Sequence, residues 1–410
     1  MSASRSTTSV YVAWFAVAAG IGARLFWVLL GPRAVVTDAA AYRALAHSLA
    51  RGVGYATSAG PSAFWVPGWP AWMSLFYAAH AGDLAVGLGN VALGALTVLA
   101  TYALARFAYG AAVARIAAAI VALWPSLIVL PGLLLSENLA LPCVVGDVIL
   151  LAWASRPAAS PWRWLVAGLA CGATMLVREA SIALVVAGLL LAVRRRAFLP
   201  WTSWVAFLVA IVFVLSPWLA RNRDALGRTR LTTSAAANLC IGHGEGATGG
   251  YRALSDYELP GDDSGGPARE VERLDDGLRC AKEGLARHPL RPIVLAPAKL
   301  SRFFVWDHWA IDDFFAPTMS ARHATWARVA CDGAWWLVLA LAVRGLTRRR
   351  PWRNAAVRAS LFVIVAFVLA VLATFGTGRF HVLVQPLLAV FAARGAVFAR
   401  RRAFATLGRS

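Results

Sequence analysis

Charge is scarce in this chain, and acidic charge is scarcest. Of 410 residues only 15% are Asp, Glu, Lys or Arg, and 20 acids stand against 40 basic residues. Several catalytic signatures are absent: there is no HExxH, no Walker loop, no GxSxG and no Asp-x-Asp. The five cysteines form no CxxC, and neither zinc-finger spacing nor a basic helix with interleaved aromatics occurs. The net charge of +20 therefore does not point to nucleic acid. Arginines clustered between apolar runs are what loops beside anionic lipid require.

What the sequence has in abundance is apolar length. It is 60% hydrophobic, and Val86 to Ala105, Ala197 to Ala220 and Ala359 to Gly378 carry no charge at all. Runs of about 18 or more such residues read as membrane spans. Lipid satisfies no backbone hydrogen bonds, so the expected class is an all-α polytopic membrane protein. About ten spans are expected, near Val10 to Leu30, Leu84 to Ala105, Ala112 to Ile128, Leu133 to Ala154, Arg163 to Val177, Ala180 to Val193, Phe198 to Ala220, Trp326 to Val343, Ala359 to Phe375 and His381 to Phe398. Pro125 and Pro131 suggest that the third turns over rather than crossing once. The fifth and sixth are short for a bilayer of about 30 Å. The first 30 residues resemble a signal peptide in outline, but the apolar stretch runs on through Leu30 and reads as an uncleaved span.

Basic residues orient this array. With the N-terminus inside, the inner loops hold Arg106 and Arg115, Arg156 and Arg163, Arg194 to Arg196, the Arg344-to-Arg358 cluster and an Arg400-to-Arg402 tail. That is the positive-inside pattern. Three regions follow: a membrane part over 1–220 with a first outer loop at 31–82, an outer polar segment over 221–323, and a second membrane part over 324–410. The polar segment holds 14 of the 20 acids. It is Gly- and Pro-rich near 242 to 267, helix-like from Ala268 to Arg287, and basic and aromatic in "KLSRFFVWDHW", which suits an interfacial stretch. Cys240 and Cys280 share this segment, and a disulfide between them is compatible with an oxidising compartment.

The other six acids are Asp38, Asp83, Glu137, Asp147, Glu179 and Asp332. Charge near lipid is costly and usually has a purpose. In the topology above five of them lie near the outer ends of spans, and Asp147 alone is deep. Asp38 heads a short two-faced helix with Tyr42, Leu45, Ala46 and Leu49 on one side, closed by Gly52 and Gly54. Taken alone, Asp38 reads as its N-cap.

The motifs in order add more. "TDAAAYRALAHSLARGVGY" followed by "VPGWPAWMSLFYAAH" resembles the first outer loop of GT-C membrane glycosyltransferases. The resemblance is to the family 39 group of protein O-mannosyltransferases and lipid A aminoarabinose transferases. "LLLSENLAL", "GLACGATMLVREASIAL", "SPWLARNRDALGR", "NLCIGHGEGATGGY" and "GRFHVLVQPLLA" match further family segments in the same order, over roughly 20 to 395. His243, Glu179 and His381 depart from the usual residues, and the middle of the outer segment matches little.

The resemblance implies transfer of a sugar from a polyprenyl-phosphate carrier to an outer-face acceptor (protein, lipid or glycan) at the cell membrane, by inverting displacement. An incoming hydroxyl needs a base, and Asp38 is the expected one. Glu137 is expected to orient the acceptor or to hold a divalent ion; the metal stays open. Tyr42 belongs to the substrate-binding motif. A phosphate leaving group calls for fixed cations, and arginine matches phosphate with its planar fork. The candidates are Arg24, Arg178, Arg221 and Arg379. Arg24 has a plain alternative, snorkelling to the interface, and Glu179 has another, pairing only with Arg178. The glycine-rich "GHGEGATGG" is either a phosphate cradle or a flexible loop. The lack of Asp-x-Asp argues against a nucleotide-sugar donor. The rival readings are an O-antigen ligase or polymerase, and a non-enzymatic transporter of lipid-linked sugars using Asp147.

Overall fold

Proline at position 125 removes one backbone donor, and much of the membrane architecture follows from how the chain answers that loss. The computed structural model describes residues 2–156, 160–193, 201–253, 266–347 and 354–407. The arginine run 194–196, the first residues of the seventh expected span, the stretch 254–265 and the arginines within 348–353 lie outside the described residues.

All ten expected segments contain helix. Among the described residues seven helices are long and apolar enough to cross a membrane, and a bent pair makes eight where it counts as one broken span rather than a re-entrant loop. The straight ones are α1 (Ser2–Leu30), α4 (Asp83–Tyr109), α7 (Glu137–Ala154), α10 (Trp201–Leu226), α14 (Ala321–Leu346), α15 (Ala355–Ala373) and the final run Gly378–Phe398, which is mostly α16 (Gln385–Leu407). The bent pair is α5 (Ala111–Leu123) and α6 (Pro125–Val129), which with the 3-10 turn Leu130–Gly132 breaks by 60°. The two segments expected to be short are α8 (Pro161–Val177) and α9 (Ile182–Val193). At 17 and 12 residues and about 1.5 Å per residue, neither spans about 30 Å alone.

Pro125 supplies the reason for the bend. Val121 O would normally accept from the N–H of residue 125, which proline lacks. Arg24 fills the gap: Nη2 donates to Val121 O at 2.8 Å, and Nη1 to Ala122 O at 2.5 Å and to Gly20 O at 2.9 Å. The Arg24 side chain is almost completely buried. It therefore does not snorkel to the interface.

Small residues let spans approach closely, as membrane packing favours. A Cβ on Gly168 of α8 would lie 2.4 Å from Phe207 O of α10, and one on Gly345 of α14 would lie 2.0 Å from Phe391 O of α16. Phe15, Phe26, Leu30 and Phe213 stay exposed, as a lipid-facing surface requires.

Outside the spans, the first loop folds as α2 (Asp38–Ala50), a two-stranded hairpin and α3 (Gly68–Ala78). The polar segment forms α11 (Ser234–His243), α12 (Gly266–Arg287) and α13 (Arg291–Phe304). The disulfide joins Cys240 of α11 to Cys280 of α12, with Cα atoms 5.4 Å apart. The loop and the segment meet: Ala63 N donates to Glu270 Oε1 at 2.8 Å, and Thr233 N donates to Ala63 O at 3.0 Å. They lie on one side of the array.

The disulfide closes a loop of 40 residues, for which chain entropy suggests about 2–4 kcal/mol. Cys280→Ser is expected to loosen α11 and α12 locally. Limited proteolysis should then cut within 234–287 faster, while the membrane spans stay protected. Equal cutting rates would show that the bridge is not made.

Candidate active site

Four ionic side chains from four distant parts of the sequence meet at one point. Arg379 donates from Nη1 to Asp38 Oδ2 at 2.7 Å. Its Nε donates to Glu137 Oε1, and its Nη2 to Glu137 Oε2 at 3.3 Å. Arg178 Nη1 lies 3.1 Å from Glu137 Oε1 and donates to Ser136 Oγ at 3.0 Å. Glu137 is fully buried, whereas the Asp38 side chain keeps 34% of its exposure.

Local sequence explains how each is placed. Asp38 is the first residue of α2, not its cap. The N-cap is Thr37, which makes no side-chain capping bond and sits at φ 50°, an unfavourable left-handed conformation for a β-branched residue. Freed from capping, the Asp38 carboxylate turns to Arg379. Tyr42 lies one turn on, buried, with its ring 5.3 Å from that of Trp65. Burial first, and the Asp38 charge second, push the Tyr42 phenol well above its usual range, so it acts as a neutral hydroxyl.

The Pro67-Gly68-Trp69-Pro70 motif braces this corner. A Cβ on Gly68 would lie 2.6 Å from Leu176 O, so only glycine lets α3 start against the end of α8, two residues before Arg178. Trp69 is fully buried, and its Nε1 donates to Leu134 O at 3.1 Å, just upstream of Ser136 and Glu137. Asn90 and Asn138 donate to the carbonyls of the same turn: Asn90 to Pro131 O and Leu133 O, and Asn138 to Leu133 O and Leu135 O. The "SEN" motif thus seats Glu137 at the head of α7.

Arg379 rides on the 3-10 turn Gly378–Val384. His381, two residues on, is fully buried. Its Nδ1 lies 2.6 Å from Phe303 O, its Nε2 lies 2.9 Å from Asp307 Oδ1, and its ring stacks on Trp335 at 4.0 Å. Asp307 also accepts from Trp124 Nε1, Ser126 Oγ and Gln385 Nε2. The bent pair, the polar segment and the last span are locked together there. The glycine-rich run is a clamp on the same turn: Gly376 N donates to Gly249 O at 2.9 Å, and Arg302 Nη1 donates to Thr248 O at 3.0 Å.

The seven site residues named from the sequence therefore divide. Asp38, Tyr42, Glu137, Arg178 and Arg379 come together. Arg24 and Arg221 go elsewhere: Arg24 serves the broken helix, and Arg221 donates to Ser62 O at 2.6 Å and to Tyr55 O at 2.5 Å, stapling α10 to the first loop. Arg178 pairs with Glu137 rather than with its neighbour Glu179, which accepts from Thr232, Ser234 and Asn238. Asp147 accepts from Thr174 Oγ1 at 2.6 Å, between α7 and α8.

Two neighbours were not singled out from the sequence. Trp309 lies 5.9 Å from the Arg379 guanidinium. Asp313, in the π-helical turn Ile311–Phe315, feels the charges of both Arg379 and Asp38, and partial burial raises its carboxyl above the usual range. No short motif marks either residue.

A divalent ion does not fit this arrangement. Both Glu137 oxygens face guanidinium groups, and among the described residues no group of three or more His, Cys, Asp or Glu is arranged to hold a metal ion. Glu137 is instead the fixed counter-charge for two arginines. Glu137→Gln leaves that cluster short of an anion, and breaking such a buried pair costs about 3–5 kcal/mol. The variant is expected to melt several degrees lower in detergent; an unchanged melt would show that the pair is not formed.

With this geometry in view, the comparisons are informative. The family model described as dolichyl-phosphate-mannose-protein mannosyltransferase matches residues 60–220, a stretch that includes Glu137 and Arg178. The oligosaccharyltransferase of Archaeoglobus fulgidus in its apo form is structurally similar, with a TM-score of 0.52 at 15% identity over 97% of this chain and 52% of that one. The same enzyme tethered to an acceptor peptide containing the NVT sequon gives 0.50 at 14% identity, over 97% and 51%. ArnT from Cupriavidus metallidurans bound to undecaprenyl phosphate gives 0.42 at 15% identity, over 94% and 78%. The chain spans about half the length of the archaeal enzymes. No curated protein sequence matches it. The chain is an all-α polytopic membrane protein that matches the mannosyltransferase family model over residues 60–220 and shares its fold with the archaeal enzyme. The helical membrane class expected from the sequence is found, and the family resemblance is matched over that segment.

Proposed function

We propose that this protein moves a sugar from a polyprenyl-phosphate carrier to an acceptor hydroxyl on the extracytoplasmic face of the cell membrane, inverting the anomeric carbon. One observation carries the reading: a partly exposed carboxylate, Asp38, is joined to a buried Arg379–Glu137–Arg178 cluster. In the proposed step the acceptor oxygen attacks the anomeric carbon and its proton passes to Asp38. The bond from that carbon to the phosphate oxygen breaks, and its electron pair stays on the lipid phosphate. The negative charge that develops there is stabilised by Arg379 and Arg178.

The name of the matched family supports a phosphate-linked lipid donor. Support for the outer face comes from the Cys240–Cys280 bridge, which suits an oxidising compartment and lies on the same side as the loop bearing Asp38. The acceptor peptide bound by the archaeal enzyme makes peptides one acceptor class to try.

The test is mass spectrometry of envelope glycans and polyprenyl phosphates in a strain lacking the protein. Loss of one sugar modification, with accumulation of one lipid-phosphate sugar, is the expected result. An unchanged profile, or a reporter fusion placing residue 38 in the cytosol, would overturn the reading.

A further inference from the structure

Each nitrogen of the Arg379 guanidinium already faces a carboxylate. Nε and Nη2 are committed to Glu137, and Nη1 holds Asp38. Counted as formal charges, Arg178 and Arg379 balance Asp38 and Glu137, so the cluster is already neutral. An arriving phosphate adds negative charge beside two carboxylates that already face the same guanidinium, and it is held best where one of them withdraws.

The two carboxylates are not equivalent. Glu137 is fully buried, has a second cation in Arg178, and heads a helix held by Trp69, Asn90 and Asn138. Removing it from Arg379 would leave a fully buried carboxylate with Arg178 alone and no access to water. Asp38 has Arg379 as its one ion-pair partner among the described residues, and its side chain reaches solvent. It is the partner that water can receive. We infer that Arg379 exchanges partners during the reaction: the donor's phosphate replaces Asp38 on Nη1, and Asp38 becomes free to take the acceptor's proton only once the donor is in place.

This rests on the lipid-phosphate reading above and adds an order to it. While paired, Oδ2 of Asp38 is occupied by Arg379 Nη1. After exchange that oxygen is open to the acceptor hydroxyl. The donor then binds first, and an acceptor entering an empty site meets no active base.

The experiment measures binding of undecaprenyl phosphate, the sugar-free carrier, to the full-length protein in lipid nanodiscs. Wild type, Asp38→Asn, Asp38→Glu and Arg379→Gln are compared, with a thermal melt for each. Asp38→Asn removes the competing anion and leaves Nη1 free, so it should bind the carrier tighter by about tenfold, although it cannot turn over. Asp38→Glu keeps the competing charge and should bind like wild type. Arg379→Gln should bind far more weakly than any of them. Asp38→Asn binding equal to or weaker than wild type, with a normal melt, overturns the exchange and leaves the lipid-phosphate reading standing. If Asp38→Asn does not fold, Asp38→Glu decides: tighter binding by this variant overturns the exchange and wild-type binding supports it. No carrier binding by wild type overturns both.

Discussion

Arg379→Ala is expected to lower sugar transfer by about 10²–10³-fold or more, the range seen when a group stabilising transition-state charge is removed. Two losses combine. In the proposed reaction the leaving phosphate loses one of its two guanidiniums, and Asp38 and Glu137 lose the cation that joins them. Arg379→Lys retains the charge but not the fork, which now serves two carboxylates at once, so it should recover only a small part of the activity. The measurement is kcat/KM for the donor in nanodiscs, with a thermal melt to confirm folding. A folded Arg379→Ala protein of near-normal activity would remove this residue from the chemistry.

The second large effect is expected at Asp38. Asp38→Asn keeps size and shape and removes the basic oxygen. A positioned general base typically contributes about 10²–10⁴-fold, and the loss should fall on kcat rather than on KM for the acceptor. Asp38→Glu moves the carboxylate by one methylene and should be intermediate. The structure sharpens what each result means. Thr37, at φ 50°, holds Asp38 off the capping position of α2, and no capping bond is lost in either variant. A large fall in activity with an unchanged melt then reports chemistry, not helix stability. Full activity in Asp38→Asn would transfer the role of base to another carboxylate, such as Asp313, which feels the charges of both Arg379 and Asp38.

The arginines mark where sequence reading stops. Arg24, Arg178, Arg221 and Arg379 look alike in one dimension: each is a cation beside an apolar run, and each suits a phosphate. Their destinations differ for reasons outside their own neighbourhoods. Arg24 is drawn to the carbonyls left open by Pro125, about a hundred residues away, and Arg221 to the backbone of the first loop. Arg178 and Arg379 converge because the turn before α7, braced by Trp69, delivers Glu137 between them. Glu137 likewise reads as a substrate or metal group from its motif, and only the tertiary structure shows it buried between two guanidiniums.

Hydropathy and local motifs alone established the membrane class, the ten helical segments, the amphipathic helix after the first span, the helix at Ala268 to Arg287 (found as Gly266–Arg287) and the ordered set of family-like segments. These are legible because they depend on residues within a few turns of one another: an apolar run must find lipid, and an amphipathic one must find a boundary. Which crossings are complete, which arginines face the carboxylates, and that Asp38 pairs with a residue 341 positions away were decided only by the tertiary structure. Such pairings depend on how buried charges are jointly satisfied across the whole bundle, and no local stretch of sequence contains that balance.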